Sequence, residues 1–574
     1  MKDRLSPNAL LLILLIAWWV VNVLQGAFTE LADDEAYYWT WAMHDGGTLE
    51  WGYHDHPPMV ALLIWFTQWM GGTLGVRFAA LLLQPFYLWL LWTLVRPRKT
   101  TYRHVLFFAA LCFAMPALQL YGLLVLPDAP LLCFSVLFLW SYKRMLQRSS
   151  VGIALIMGLA MALLAYSKYH GALVVALVLI SNPRLLRSWH LYLALMVAAV
   201  LFVPHLLWQY QHGWTSLVYH LGQRHKGFDI ENPLMFCLNL LLFFNPLLVW
   251  HYGKSFFHRT GNDDDREWLR SMRWLVGGFV VFFFVASWRG STQAQWLLPV
   301  AIGLVVLLMH RLQSEQNSRY LRTVYVASAA LFLIVRLVVA INPMHLKGQL
   351  WDNAESYGRI ASVADGRPVL FSNYSMAAKY AYYTRRECYC QSVFYDHRNQ
   401  WDIWQDDRRL YGRSIIREIH DRPNTTTHLK LANGKTFHYS VQDDYRAVRE
   451  VQLWLDTNAT ALTVGDSLWR VPLKAYNPYP YAISSGQSDS LLVGVFYRYE
   501  QRRQPLVVDS SAFCLPAGDT TSLVGHFRIS RHGVAGPCLI GFVLRSNVGH
   551  PSAASPLYGF SYNPDAISYS QSSR

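Results

Sequence analysis

Charge is scarce in this chain. Asp, Glu, Lys and Arg make up 15% of its 574 residues, against 53% hydrophobic and 15% aromatic. A soluble domain carries about 25% charged residues, so a wholly soluble fold is excluded. The deficit is uneven. Residues 1–341 pass through one apolar run after another, and charge returns to ordinary density beyond them. No Cys-x-x-Cys pair occurs among the seven cysteines, which argues against a structural zinc site. The polar part shows no Gly-rich phosphate loop and no nucleophile triad, so an acyl- or phosphoethanolamine-transferring enzyme is disfavoured. No internal repeat is visible, and the acids sit at span ends rather than mid-span, unlike a transporter or flippase. The net charge of +14 is dispersed through short loops, so no nucleic-acid partner is expected.

A span needs about 20 apolar residues. Eleven segments qualify or nearly do: 8–28, 76–95, 104–121, 129–147, 151–168, 170–182, 190–208, 232–252, 274–289, 294–310 and 321–341. One alternate set of connections holds 19 Lys and Arg; the other holds Arg224 and Lys226, with Lys168 and Arg289 at its margins. The positive-inside rule then puts the N-terminus in the cytoplasm and the C-terminal part in the periplasm. The run from Ala9 to Phe28 follows Lys2 and Arg4 without a small-residue cleavage site, and reads as an uncleaved first span. Cys112, Cys133 and Cys237 lie in apolar runs. In an oxidising compartment, Cys514 and Cys538 are expected to pair.

Residues 29–75, the first outer loop, contain no Lys or Arg. They carry Glu30, Asp33, Asp34, Glu35, Asp45, Glu50 and Asp55, and the aromatics Tyr37, Tyr38, Trp39, Trp41, Trp51 and Tyr53. An aromatic belt with solvated acids would look like this. Three consecutive acids directly after a span are costly unless used, however. Tyr53-His54-Asp55-His56-Pro57-Pro58 joins an acid and two imidazoles to a rigid turn, a set suited to a metal or a phosphate. Pro57–Gly72 is apolar but short, and is expected to lie at the interface or fold back into the protein.

The run from Leu31 to Ala42, followed by the run from Gly52 to Met59, resembles the first periplasmic loop of the protein O-mannosyltransferase-like superfamily. That superfamily includes bacterial family 39 and aminoarabinose transferase-like enzymes. The resemblance implies a GT-C fold: a polytopic α-helical membrane domain over 1–341 with a catalytic loop at 29–75. It implies a glycosyltransferase with a polyprenyl-phosphate sugar donor and a glycan, lipid or protein acceptor at the periplasmic face of the bacterial inner membrane. It also gives Asp34 the role of catalytic base, with Glu35 beside it. The family's acid-Lys-Pro-Pro element matches Asp55-His56-Pro57-Pro58, implying a metal role for Asp55, with Mg, Mn or Zn as the ion, and a phosphate role for His56. Here His56 stands in place of Lys, and Tyr37 in place of an Arg found in aminoarabinose-type relatives.

Leu126-Pro127-Asp128-Ala129-Pro130 matches a second catalytic loop acid, although Asp before Ala-Pro also suits a helix start. Lys168, within Ser167-Lys168-Tyr169-His170-Gly171, resembles the family's Lys-Gly element; as a phosphate contact it competes with simple snorkelling. His220, Arg224, His225 and Lys226 form the basic cluster on the outer face. Arg224 is the leading candidate for the lipid phosphate, with Lys168, His56 and His225 beside it. His220 is a candidate to join Asp55 at the metal. A basic loop touching lipid headgroups is the alternative. Tyr37, Tyr53 and Trp296 are candidates for lining the substrate. An oligosaccharide transferase or polymerase of the same fold, or a lipid-linked glycan flippase, is the competing function.

Residues 342–425 read as an α/β subdomain, with a strand in Arg367–Tyr374, a helix in Met376–Tyr383 and a strand in Gln391–Tyr395. Residues 426–574 read as β-rich, with strands at Lys435–Val441, Ser490–Tyr499, Pro505–Val508 and Leu523–Ile529.

Overall fold

The computed structural model describes residues 6–220, 229–258, 265–312, 318–391, 398–419 and 427–456, and shorter stretches up to 569. It divides into two compact units, Met1–Trp351 and Asp352–Arg574.

The first unit is helical. Its helices are α1 (Pro7–Phe28), α2 (Asp33–Met43), α3 (Met59–Thr67), α4 (Gly72–Val95), α5 (Tyr102–Phe113), α6 (Pro116–Leu120), α7 (Asp128–Gln147) and α8 (Val151–Ser167). There follow α9 (His170–Ser181), α10 (Trp189–Gln211), α11 (Thr215–Val218), α12 (Glu231–Phe243), α13 (Val249–Phe257), α14 (Arg266–Ser287), α15 (Leu298–Leu312) and α16 (Arg319–Ile341). Each of the eleven apolar segments falls on a helix or a helix pair. Among the described residues, six helices are long and apolar enough to cross a membrane, and seven if Glu231–Phe243 and Pro246–Phe257 form one span bent by 83°. The bend has a local cause: Asn245 adopts φ 73° and Pro246 offers no N–H to continue the helix. The expected span at 170–182 is the 12-residue α9, and α5 and α8 also fall short of that length, so the crossings supported by length are fewer than eleven.

Burial sorts these helices. Almost every side chain of α15 is buried, the mark of a helix at the centre of a bundle. Most of α16 faces outward, as a lipid-facing helix does. The apolar segment after Pro57 forms α3, which buries Met59, Val60, Ala61, Ile64 and Thr67 and exposes Leu62, Trp65 and Phe66. That division matches a helix lying at an interface.

The second unit opens with α17 (Asn353–Ala364) and α18 (Tyr374–Thr384), packed with strands β1 (Val369–Phe371), β2 (Cys388–Cys390), β3 (Ile415–Glu418), β4 (Thr427–Lys430) and β5 (Thr436–Gln442). Their order is β2-β1-β3-β5-β4; β1 runs parallel to β2 and β3, and the remaining pairs are antiparallel. Strand β2 ends at Cys390, just before the strand expected at Gln391–Tyr395, of which residues 392–395 lie outside the described set. Further on, Thr520–Arg528 pairs with Leu468–Tyr476, and Leu492–Tyr499 with Gly536–Arg545, all antiparallel. Cys514 is a free thiol, and the side chain of Cys538, its expected partner, lies outside the described set.

One buried ion pair fixes how the first helices meet. Arg77, on α4, and Glu35, on α2, are both fully buried. The guanidinium bonds the carboxylate through Nε (2.7 Å) and Nη2 (2.5 Å). Its Nη1 donates to the carbonyls of Gly26 and Thr29 and to the Thr29 hydroxyl, and Nη2 also donates to the Glu30 carbonyl, all at 2.9 Å. Glu35 in turn accepts from the backbone N–H of Ala32 (3.0 Å) and Val125 (3.1 Å). Four segments are thereby tied together: the end of α1, the start of α2, α4 and the loop before α7.

Breaking such a pair strands a buried charge, at a cost of about 3–5 kcal/mol. Arg77→Leu is therefore expected to lower the thermal midpoint of the detergent-purified chain sharply. Arg77→Lys should not restore it, because one ammonium cannot span the same acceptors. Adding Glu35→Leu to Arg77→Leu should recover part of the loss, since both charges are then gone. A wild-type midpoint for Arg77→Leu would show that the clamp is dispensable.

Candidate active site

Helix α2 begins with three acids. Their position at a helix N-terminus is favourable, because the exposed N–H groups and the helix dipole stabilise negative charge. Their fates differ. Glu35 turns inward to Arg77, so the structure gives it an architectural task in place of the expected catalytic one. Asp34 points the other way and stays open to solvent. Among the described residues its carboxylate makes no hydrogen bond or ion pair. Protein atoms nevertheless crowd it, and this desolvation, followed by the charge of Asp33, raises its carboxyl above the ordinary carboxylate range. Lys168 acts in the opposite direction, and Asp128 and Glu35 add smaller upward effects.

Asp34, Asp128 and Lys168 thus share one electrostatic neighbourhood. Asp128 opens α7 and Lys168 ends α8, and the ammonium spans both carboxylate oxygens at 2.8 and 3.0 Å. Both side chains are buried. Lys168 therefore does not snorkel, and Asp128 is held as its counter-ion. Tyr121, in the turn before α7, lies within electrostatic reach of both Asp128 and Asp34.

The rest of the outer loop is stitched down. Trp208 Nε1 donates to Glu50 (2.9 Å), and His205 Nδ1 meets the Trp51 carbonyl (2.7 Å). Ser216 donates to the Tyr53 carbonyl (2.9 Å), and His54 Nδ1 meets the Thr215 hydroxyl (2.8 Å). His56 lies beside the rings of Tyr38 and His220. Close approach is built in at Gly52, where an added Cβ would stand 2.4 Å from the Trp208 ring.

Several candidates take other places. Tyr53 is buried and stacked on Trp41 with centroids 4.4 Å apart, its hydroxyl donating to the Trp41 carbonyl; Tyr37 is buried against Trp41 as well. Both are core residues rather than lining. Trp296 packs on His170 and Phe283 and is likewise buried. Asp55 and His220 do meet, but through His220 Nε2 and the Asp55 backbone carbonyl (2.9 Å). That nitrogen is then the donor and cannot ligate. Among the described residues no group of three His, Cys, Asp or Glu side chains is placed to hold a metal. Arg224 and His225 lie outside the described residues. Arg77 and Tyr121 were not singled out from sequence; a lone arginine inside an apolar helix was the available signal for Arg77.

Residues 55–208 match the family described as dolichyl-phosphate-mannose-protein mannosyltransferase. This segment takes in Asp55, His56, Asp128 and Lys168, and starts downstream of Asp34. The chain is 27% identical over 315 residues to the lipid A galacturonosyltransferase RgtD of Rhizobium johnstonii, a match covering 53% of this chain and 65% of that protein's length. Its fold is similar to that of ArnT from Cupriavidus metallidurans in the apo state, with a TM-score of 0.56 at 14% identity over 75% of this chain and 98% of that one. Against the same protein bound to undecaprenyl phosphate the TM-score is again 0.56, at 15% identity over 76% and 98%. The chain is a multi-pass membrane protein with the GT-C fold that these ArnT structures share, and it spans 65% of the length of the curated relative it matches.

Proposed function

We propose that this protein transfers a sugar from a polyprenyl-phosphate carrier to a cell-envelope acceptor at the periplasmic face of the inner membrane, with Asp34 as general base. The observation that carries the reading is the state of Asp34. Among the described residues it is the acid of the α2 triplet left unpaired, and it is open to solvent, while Glu35 and Asp128 are each held by a buried cation. A base needs that freedom and a pKa raised toward the working pH. The matched relative is by name a lipid A galacturonosyltransferase, and a structure of the same fold holds undecaprenyl phosphate. The first supports an envelope acceptor, and the second supports a lipid-phosphate carrier. The loop charges support an outward-facing site.

In this reading the acceptor hydroxyl gives its proton to Asp34 as its oxygen attacks the anomeric carbon. The bond from that carbon to the phosphate oxygen breaks on the opposite side, and the polyprenyl phosphate leaves with the electron pair. Configuration at the anomeric carbon inverts. Lys168, neutralised in part by Asp128, opposes the rise of the Asp34 carboxyl.

Asp34→Asn is expected to lower transfer by about 10²–10⁴-fold, the usual range for a lost general base. The check is sugar transfer from a polyprenyl-phosphate donor in membranes, read by mass spectrometry of the envelope acceptor. Full activity would sink the assignment. The fold should survive. The raised pKa of Asp34 means that its stabilising effect is present at low pH and lost as pH rises through the folded value. At neutral pH Asp34→Asn should therefore match or exceed the wild-type thermal midpoint.

Asp33→Asn removes the nearest like charge and should lower the Asp34 pKa. The acid limb of the transfer rate is expected to move to lower pH, with the neutral-pH rate largely kept. An unmoved limb would mean that another group sets it.

A further inference from the structure

A second arginine lies inside the membrane bundle, and its charge is not balanced. Arg336 sits on α16, five residues before the helix ends at Ile341, so about 8 Å below that end at 1.5 Å per residue. It donates to three neutral amide oxygens: Gln25 (2.6 Å), Asn22 (2.8 Å) and Gln119 (2.8 Å). Among the described residues no carboxylate reaches it. The amide N–H groups of two of these partners are engaged elsewhere. Asn22 donates to Gln84 (2.5 Å) and to the Gly122 carbonyl (3.0 Å), and Gln119 donates to the Phe113 carbonyl (2.8 Å). Their oxygens are thereby turned onto the guanidinium. The frame orients the cation without neutralising it. A half-buried charge at this depth is expensive unless it meets an opposite one.

The surroundings indicate what that opposite charge belongs to. On either side of Arg336, Leu333, Ile334, Val335 and Leu337 are exposed and form an apolar track along α16. The loop between α6, which carries Gln119, and α7 also reaches the Asp34 site. Gly122 accepts from Asn22, Tyr121 lies within electrostatic reach of Asp34 and Asp128, and Val125 donates to Glu35.

We propose that Arg336, framed by Asn22, Gln25 and Gln119, is an anion subsite for the phosphate of a polyprenyl phosphate whose chain lies along α16. The planar guanidinium suits a phosphate, and among the described residues its three amide partners leave donor positions of its fork for another acceptor. The inference rests on the lipid-carrier reading given above, and it names a residue for the carrier phosphate that sequence comparison of the outer loop does not.

The test uses the full chain in phosphatidylcholine nanodiscs, titrated with polyprenyl monophosphate, with polyprenol and with phosphatidylglycerol, and read by native mass spectrometry. Arg336→Gln should weaken polyprenyl monophosphate binding at least about tenfold and leave polyprenol binding unchanged. Gln25→Glu separates anchoring from anion binding. It sets a carboxylate beside the guanidinium, so α16 stays docked and the thermal midpoint holds, while polyprenyl monophosphate is displaced to a similar degree. Should Arg336→Gln fail to fold, Gln25→Glu decides alone. The subsite is overturned by unchanged polyprenyl monophosphate affinity in the folded variants. Equal losses for polyprenol, or equally tight wild-type binding of phosphatidylglycerol, overturn it as well. Asp34→Asn should bind the carrier normally. Arg336-dependent binding by a wild-type chain that transfers no sugar would defeat the transferase reading and leave the subsite standing.

Discussion

The arrangement of the candidate site follows from the cost of burying charge. Glu35 and Arg77 are fully buried at the level where α1 gives way to α2. Neither could remain there alone, since a lone buried ion costs several kcal/mol. The guanidinium therefore collects the carboxylate and the loose carbonyls at the end of α1, and the carboxylate collects the N–H groups of Ala32 and Val125. Once Glu35 is committed inward, helix geometry decides its neighbour. Successive residues are about 100° apart around an α-helix, so Asp34 is turned out of the core. The free carboxylate is thus a consequence of the paired one.

The same economy explains Asp128 and Lys168. Each sits at a helix end, Asp128 where α7 starts and Lys168 where α8 stops. An acid suits the first position, since the helix dipole favours negative charge there, and burial requires a partner for both. Their mutual bond holds α7 and α8 in register and leaves a combined charge near zero beside Asp34. Asp34 therefore responds to its own desolvation and to Asp33 before it responds to the pair.

Much of this was legible in the sequence. Apolar runs of span length gave the helices, because in a bundle hydrophobicity and helical structure go together. The acid triplet after the first span marks the candidate site. What stayed hidden is non-local. Lys168 and Asp128 are 40 residues apart, and Glu35 and Arg77 are 42 apart. Local pattern offers Lys168, Asp128 and Glu35 a role at the substrate, and only the fold shows that Lys168 and Asp128 satisfy one another and that Glu35 is satisfied by Arg77. Tyr37 and Tyr53 illustrate the converse. An aromatic in an outer loop reads as lining, but a loop held by Trp208, His205, Thr215 and Ser216 has an interior of its own, and the tyrosines fill it around Trp41.

Arg77 and Arg336 are the informative contrast. Both interrupt apolar helices, and both are gripped by oxygen atoms near the end of α1. Arg77 meets a carboxylate, so its site is electrically closed. Arg336 meets amides, which can direct a guanidinium but carry no charge to cancel it. A glutamate at position 25 or an aspartate at position 22 would have closed that site with the loss or exchange of one polar group. The chain has Gln25 and Asn22 there instead. A purely architectural clasp would gain from the acid. An anion site requires its absence, and the amides in this frame are what such a site would use.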